Sequence, residues 1–217
     1  MTRLFPAKHQ HLLTALVIVM HLLAPPGAQA DSYLQGFLNP SRLECTREAL
    51  TAPSQCAMNY GAINFIVQAS ADSSLNQLLI QTAGLSTDSS DLQLELDGTA
   101  YRAELADLDG NGWPEIYVYV SSAGSGSYGS LAAYAVNNGK SLSPIYLPPM
   151  EQSPEALVGY MGHDEFAVVE NRLVRRFPLY REGDTNATAT GGTRQMQYRL
   201  VPGEAGWLLQ LDRVVEY

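Results

Sequence analysis

The chain has 217 residues, 46 % of them hydrophobic and 16 % charged, which is enough for one ordinary core without help from metals or many disulfides. Its formal charge of −9 makes nucleic acid and anionic membrane surfaces poor partners, whereas a cationic protein would be steered toward it. Acidity of this size also serves plain solubility.

Residues 1–30 read as a cleaved signal peptide: Arg3 and Lys8 precede an apolar run from Leu12 to Leu23, followed by Pro25, Pro26, Gly27 and a small-residue cleavage site at Ala28-Gln29-Ala30. The run is short for a bilayer span, which needs about 20 apolar residues. Cleavage there leaves residues 31–217 as one domain with no membrane association, and with 11 basic residues against 22 acidic ones, a formal charge of −11. Ser41 with Glu44 three residues on forms a capping box, so a short helix is expected over Arg42–Leu50, ending before Pro53. Cys45 and Cys56 are the only cysteines, and in an exported chain they close most simply into one disulfide.

Beyond them the pattern is strand after strand. Tyr60–Gln68 and Leu75–Thr82 are apolar-rich segments between polar turns, the second with some helical character. Leu92, Leu94 and Leu96 alternate with polar residues, and Asp97-Gly98 then signals a two-residue hairpin into Tyr101–Leu105. Glu115–Ser121 and Leu131–Val136 flank a glycine-serine loop and form a second hairpin with a long tip. Four prolines (Pro144, Pro148, Pro149, Pro154) mark Ser143–Gly159 as a long connection with a helical turn at Glu155–Val158. Phe166–Val169 and Leu173–Phe177 make a third hairpin through Glu170-Asn171, Gly183–Thr193 is a surface loop, and Gln195–Val201 pairs with Trp207–Val215. Six to ten short strands predict an all-β chain, an antiparallel β-sandwich or barrel-like sheet with one short N-terminal helix.

The residues argue against catalysis. After signal removal His163 is the only histidine, which excludes any two-histidine scheme. The serines of Ala123-Gly124-Ser125-Gly126-Ser127-Tyr128-Gly129 lack the glycine two positions upstream that a nucleophile elbow requires. Acidic residues are abundant, but no spacing marks a glycosidase pair. No cofactor is required by this reading. Asn186-Ala187-Thr188 has the form of a glycosylation acceptor, read here as chance. Asp107-Leu108-Asp109-Gly110-Asn111-Gly112-Trp113-Pro114-Glu115 offers oxygen ligands at alternating positions, as in half of a calcium loop. Asp107, Asp109, Asn111 and Glu115 could ring a structural Ca²⁺, but Val118 stands where an EF-hand places its bidentate glutamate, and a tight acidic turn explains the same residues.

The stretch DLDGNGWPEIYVYVSSAGSGSYGSLAAYAV, from Asp107 to Val136, resembles the periplasmic inhibitors of invertebrate-type (I-type) lysozyme, through an SGxY motif at Ser125-Gly126-Ser127-Tyr128. The terminal MQYRLVPGEAGWLL is also similar to that family. The resemblance implies a periplasmic protein of a Gram-negative bacterium that binds I-type lysozyme by inserting this loop into the active-site cleft. Ser125 would meet the catalytic carboxylates, Gly126 would keep the tip narrow and supply an unusual backbone angle, and Tyr128 would give a stiff ring and a hydroxyl. Related inhibitors place a basic residue in a later loop. Lys140, the sole lysine after signal removal, is the candidate for such a secondary lysozyme contact, or is an ordinary solvated turn lysine. Inhibitors of C-type lysozymes carry a similar SGxxY signature one residue longer. Exposed strand edges would permit a homodimer. The competing expectation is a secreted calcium-binding β module for adhesion or carbohydrate binding.

Overall fold

The structure is a computed structural model that describes residues 43–217. The expected signal peptide and the expected Ser41 cap fall outside the described residues. The chain forms β1 (Glu44–Thr46), α1 (Arg47–Leu50), β2 (Cys56–Tyr60), β3 (Ile63–Ala69), β4 (Leu75–Ala83), β5 (Leu92–Asp97), β6 (Thr99–Ala106), β7 (Glu115–Ser121), β8 (Gly129–Asn137), β9 (Ser141–Tyr146), β10 (Glu165–Val169), β11 (Arg172–Pro178), β12 (Thr193–Pro202) and β13 (Trp207–Glu216). Two 3₁₀ turns, Met150–Gln152 and Pro154–Leu157, occupy the proline-rich connection.

The all-β expectation holds. One curled nine-stranded sheet runs in the order β1-β6-β7-β8-β9-β13-β12-β11-β10, and a four-stranded sheet runs β2-β3-β4-β5. Neighbours are antiparallel except β9 and β13, which touch in parallel only at Ile145 and Tyr146. Pro144 marks the place where β9 leaves β8 and meets β13, so its missing N–H falls at the changeover.

Three sequence expectations are corrected. The expected nine-residue helix is a single turn, because Glu44–Thr46 pairs with Arg102–Glu104 of β6 and turns Cys45 inward to its bond with Cys56. Tyr60–Gln68 is two strands, split at Gly61, where φ is 58°. The Asp97-Gly98 signal is not a hairpin: β5 belongs to the small sheet, β6 to the large one, and Gly98 is the corner between them. Its φ is 124°, and a β-carbon there would lie 2.3 Å from the Ser121 carbonyl oxygen. The buried Asn76 amide donates to the Gly98 carbonyl at 2.7 Å and pins the corner.

The central strands are covered on both faces. Ile116, Val118 and Val120 of β7 pack with Phe65, Val67, Leu78 and Ile80 of the small sheet. Tyr117 and Tyr119, on the alternate face, join Phe166, Phe177, Met196 and Leu209 inside the curl of the large sheet. Burying the larger of these side chains stabilises the fold by roughly 1.5–3 kcal/mol each. The far edge of the curl returns to its beginning: Glu104 of β6 accepts the Val168 N–H at 2.8 Å, and Tyr101 OH accepts the Phe166 N–H at 3.1 Å. Arg102 donates to the Phe166 carbonyl. Side chains thus satisfy the edge strand β10 where no backbone neighbour does.

Candidate recognition loop and acidic turn

The antiparallel register of β7 and β8 ends at Ser121 opposite Gly129, leaving Ser122–Tyr128 as the hairpin tip. The root is closed from both sides, since the Ser122 N–H donates to the Tyr128 carbonyl at 2.8 Å and the Tyr128 N–H donates to Ser122 Oγ at 2.9 Å. The turn itself uses left-handed backbone at Gly124, φ 106°, and at Ser127, φ 43°. Gly126 is not one of these positions. It is required for space, because a β-carbon there would lie 2.5 Å from the Tyr128 ring. Ser125 and Tyr128 are exposed, the latter at 50 %, and among the described residues neither hydroxyl has a hydrogen-bond partner.

The other face of the loop rests on two distant segments. His163 N–H donates to the Gly126 carbonyl at 2.6 Å, and Asn186 Nδ2 donates to the Ser125 carbonyl at 2.7 Å. Asn186 Oδ1 lies 3.2 Å from His163 Nε2, and the Asn186 carbonyl accepts the Tyr180 hydroxyl at 3.0 Å. The backbone of Gly162 runs so close to Gly126 that a β-carbon at position 162 would fall 2.0 Å from its carbonyl oxygen. Tyr128 meets Tyr160 edge-on at 5.7 Å between ring centroids, and Tyr160 meets Phe177 of the core at 4.7 Å.

Beneath this lies a buried polar knot. Asp164 pairs with Arg175 at 2.6 Å, accepts the Tyr160 hydroxyl at 2.6 Å, and accepts the Gly129 N–H at 2.7 Å. Arg175 also donates to Tyr160 OH at 2.8 Å and lies over the rings of Tyr160 and Phe166. Burial, then the hydrogen bond to Asp164, holds the Tyr160 phenol well above its ordinary range, so it remains a proton donor. In the sequence His163 stands out only as the lone histidine of residues 31–217, and Asn186 only as part of a chance glycosylation tripeptide. No local pattern signals their role, because Asn186 lies 61 positions from Ser125.

The acidic turn lies at the opposite end of β7. Asp107, Asp109 and Glu115 each bring one carboxylate oxygen to within 4.8 Å of the others. In the same turn Asn111 Oδ1 accepts the Trp113 N–H at 2.7 Å and its Nδ2 donates to Asp109 at 2.8 Å. Asp107 Oδ2 accepts the Gly112 N–H at 2.9 Å, while its Oδ1 is buried with no partner. Glu115 is 1 % exposed and accepts the Leu108 N–H at 2.8 Å. Burial, and then the charges of Asp109 and Asp107, push its carboxyl up to about 8 against the pull of the Leu108 amide. Three carboxylates and an orphaned oxygen fit a hard cation, and the same Asx bonds build the turn without one.

Lys140 is exposed in the β8–β9 turn, where its carbonyl accepts the Asp88 N–H at 2.9 Å. The Ser122–Tyr128 loop precedes β8 and Lys140 follows it, so the two stand roughly 25 Å apart along the strand and the structure does not bring them together. Gly139, next to Lys140, packs on the Trp113 ring of the acidic turn. No helix among the described residues is long and apolar enough to cross a membrane.

Comparison with protein-family models, with curated proteins and with solved structures finds no match for this chain.

Proposed function

We propose that this protein is a periplasmic inhibitor of I-type lysozyme that inserts the Ser125–Tyr128 loop into the enzyme's cleft. The observation that carries the reading is the state of the loop. The Ser125 and Tyr128 hydroxyls are turned to solvent without hydrogen-bond partners among the described residues, while the Tyr128 ring rests edge-on against Tyr160 and the carbonyls of Ser125 and Gly126 are tied down behind them. A lysozyme cleft presents two carboxyl groups flanking the scissile bond, one protonated and one ionised. A serine hydroxyl can donate to one and accept from the other as a sugar hydroxyl would. The tyrosine ring adds apolar contact of the kind that dominates binding hot spots. Non-glycine residues with positive φ also converge here, Ser127 at 43° and His163 at 58°, and strain of this sort is kept where geometry serves a purpose. Lys140 stands outside this surface.

The test is a peptidoglycan clearing assay with I-type lysozyme, titrated with wild type and with a Ser125→Ala, Tyr128→Ala double variant, and with C-type and goose-type enzymes alongside. Inhibition near equimolar ratio by wild type and not by the double variant supports the reading. Indifference of every lysozyme class ends it.

The second reading, a secreted calcium-binding β module, is favoured by the buried, partnerless oxygen of Asp107 beside Asp109 and Glu115. It expects a rise of several degrees in Tm on adding calcium over EDTA, abolished by Asp109→Asn. The two sites occupy opposite ends of the β7–β8 hairpin, so each can be disabled without touching the other.

A further inference from the structure

We propose that Asn186, acting with His163, is the positioning residue of the recognition loop, holding Ser122–Tyr128 in one conformation before any partner arrives. The inference rests on the reading of that loop as the inhibitory element, and it extends the functional unit to two segments outside the resemblance.

A seven-residue tip rich in glycine and serine has few contacts of its own. Beyond the two bonds that close its root, the one internal bond among the described residues, from the Ser127 N–H to the Gly124 carbonyl, is long at 3.3 Å. Fixing such backbone costs conformational entropy at every residue ordered. If that cost falls at the moment of binding, it is subtracted from affinity; if the loop is ordered on folding, it is not. The external bonds reach the centre of the tip, at two consecutive carbonyls. Asn186 serves one through Nδ2 and, through Oδ1, faces the His163 ring, whose own backbone N–H serves the other.

The chemistry of this joint is specific to an amide. One end must donate to a carbonyl and the other must accept from a ring N–H, which a carboxylate cannot do at both ends. Asn186→Asp would set an anionic oxygen against the Ser125 carbonyl. The position of Asn186 is itself fixed from behind by Tyr180, whose hydroxyl donates to its backbone carbonyl.

Backbone ¹⁵N relaxation of the unbound protein reads the clamp without reference to any partner. Wild type is expected to show order parameters for Gly124–Ser127 near about 0.85, and Asn186→Ala and Asn186→Asp to drop them below about 0.6. His163→Ala keeps the backbone bond at Gly126 and is expected to loosen the loop less. Tm should move little in all three. Association and dissociation rates with I-type lysozyme are then measured for the same proteins. Asn186→Ala is expected to slow association about tenfold, because fewer molecules hold the competent loop. Ser125→Ala is expected to speed dissociation and leave the order parameters unchanged. Unchanged order parameters in both Asn186 variants overturn the proposal, as does a mobile loop that binds as fast as wild type. If wild type binds no lysozyme, the inhibitor reading fails while the relaxation data still decide whether Asn186 holds the loop.

Discussion

The Asp164 carboxylate lies 2.6 Å from the Arg175 guanidinium, both side chains nearly sealed from water, and the same carboxylate accepts the N–H of Gly129, the first residue of β8 after the recognition loop. A buried ion pair in the curl of the large sheet is therefore joined directly to the root of an exposed loop. Tyr160 completes the link, since its hydroxyl reaches both charges and its ring supports Tyr128.

Removing one partner of such a pair should cost more than the pair contributes. Asp164→Ala leaves Arg175 charged and buried, and the expected loss is about 3–5 kcal/mol in urea unfolding. It also strips the Gly129 N–H of its acceptor. Asp164→Asn keeps hydrogen-bonding capacity, so a smaller loss is expected. Equal and small losses in both variants would contradict a dominant ionic role.

Glu115 sets a pH dependence with a definite sign. Its carboxyl is at about 8 in the folded chain against an ordinary 4.5, so between these values the folded state holds a proton that the unfolded state has released. Unfolding free energy measured in EDTA should fall as pH rises through that window and be unaffected by this group below it. The total change across the window is on the order of 5 kcal/mol. Glu115→Gln should flatten the curve. A wild-type stability that rises from pH 5 to 8 would refute the assignment.

How much of this was legible in the sequence depends on the range of the interaction. The β7–β8, β10–β11 and β12–β13 hairpins were readable because apolar alternation and turn residues lie within a few positions of one another. The Cys45–Cys56 bond was readable because only one pairing exists. Asp97-Gly98 misled because a glycine at positive φ serves a sheet-to-sheet corner as well as a hairpin, and only the Ser121 carbonyl and Asn76 decide between them. β9 was hidden by Pro144. The sequence singles out the candidate loop residues themselves but not their supports Gly162, His163 and Asn186, because a contact across 36 to 61 positions leaves no periodicity to read.

The seam between β6 and β10 should behave as a side-chain substitute for a missing ladder. Glu104 accepts the Val168 N–H, receives the Tyr119 hydroxyl at 2.5 Å and pairs with Arg102 at 3.3 Å. Glu104→Ala therefore strands several buried groups, and a cost of about 2–4 kcal/mol is expected. The local signature is faster amide exchange at Val168 than at the paired strands β11 and β12. Exchange at Val168 that is unchanged by the substitution would show that the curl is held shut by apolar packing alone.

Gly162 allows backbone strain and steric displacement to be separated, because Gly183 shares its φ of 90° and differs in surroundings. A β-carbon at Gly183 meets nothing within 4 Å, whereas one at Gly162 would sit 2.0 Å from the Gly126 carbonyl oxygen and 3.3 Å from the Tyr128 ring. Gly183→Ala should thus cost only the conformational penalty of a left-handed alanine, about 1–2 kcal/mol, and on the proposed function leave inhibition intact. Gly162→Ala should cost more than that and push the tip away from His163 and Asn186. On the proposed function it should also weaken inhibition at least tenfold, although neither Ser125 nor Tyr128 is altered. The comparison is made by urea unfolding and by the clearing assay on the same two proteins. If they lose stability and inhibition to the same extent, the close approach of the two loops does not hold the recognition loop in place.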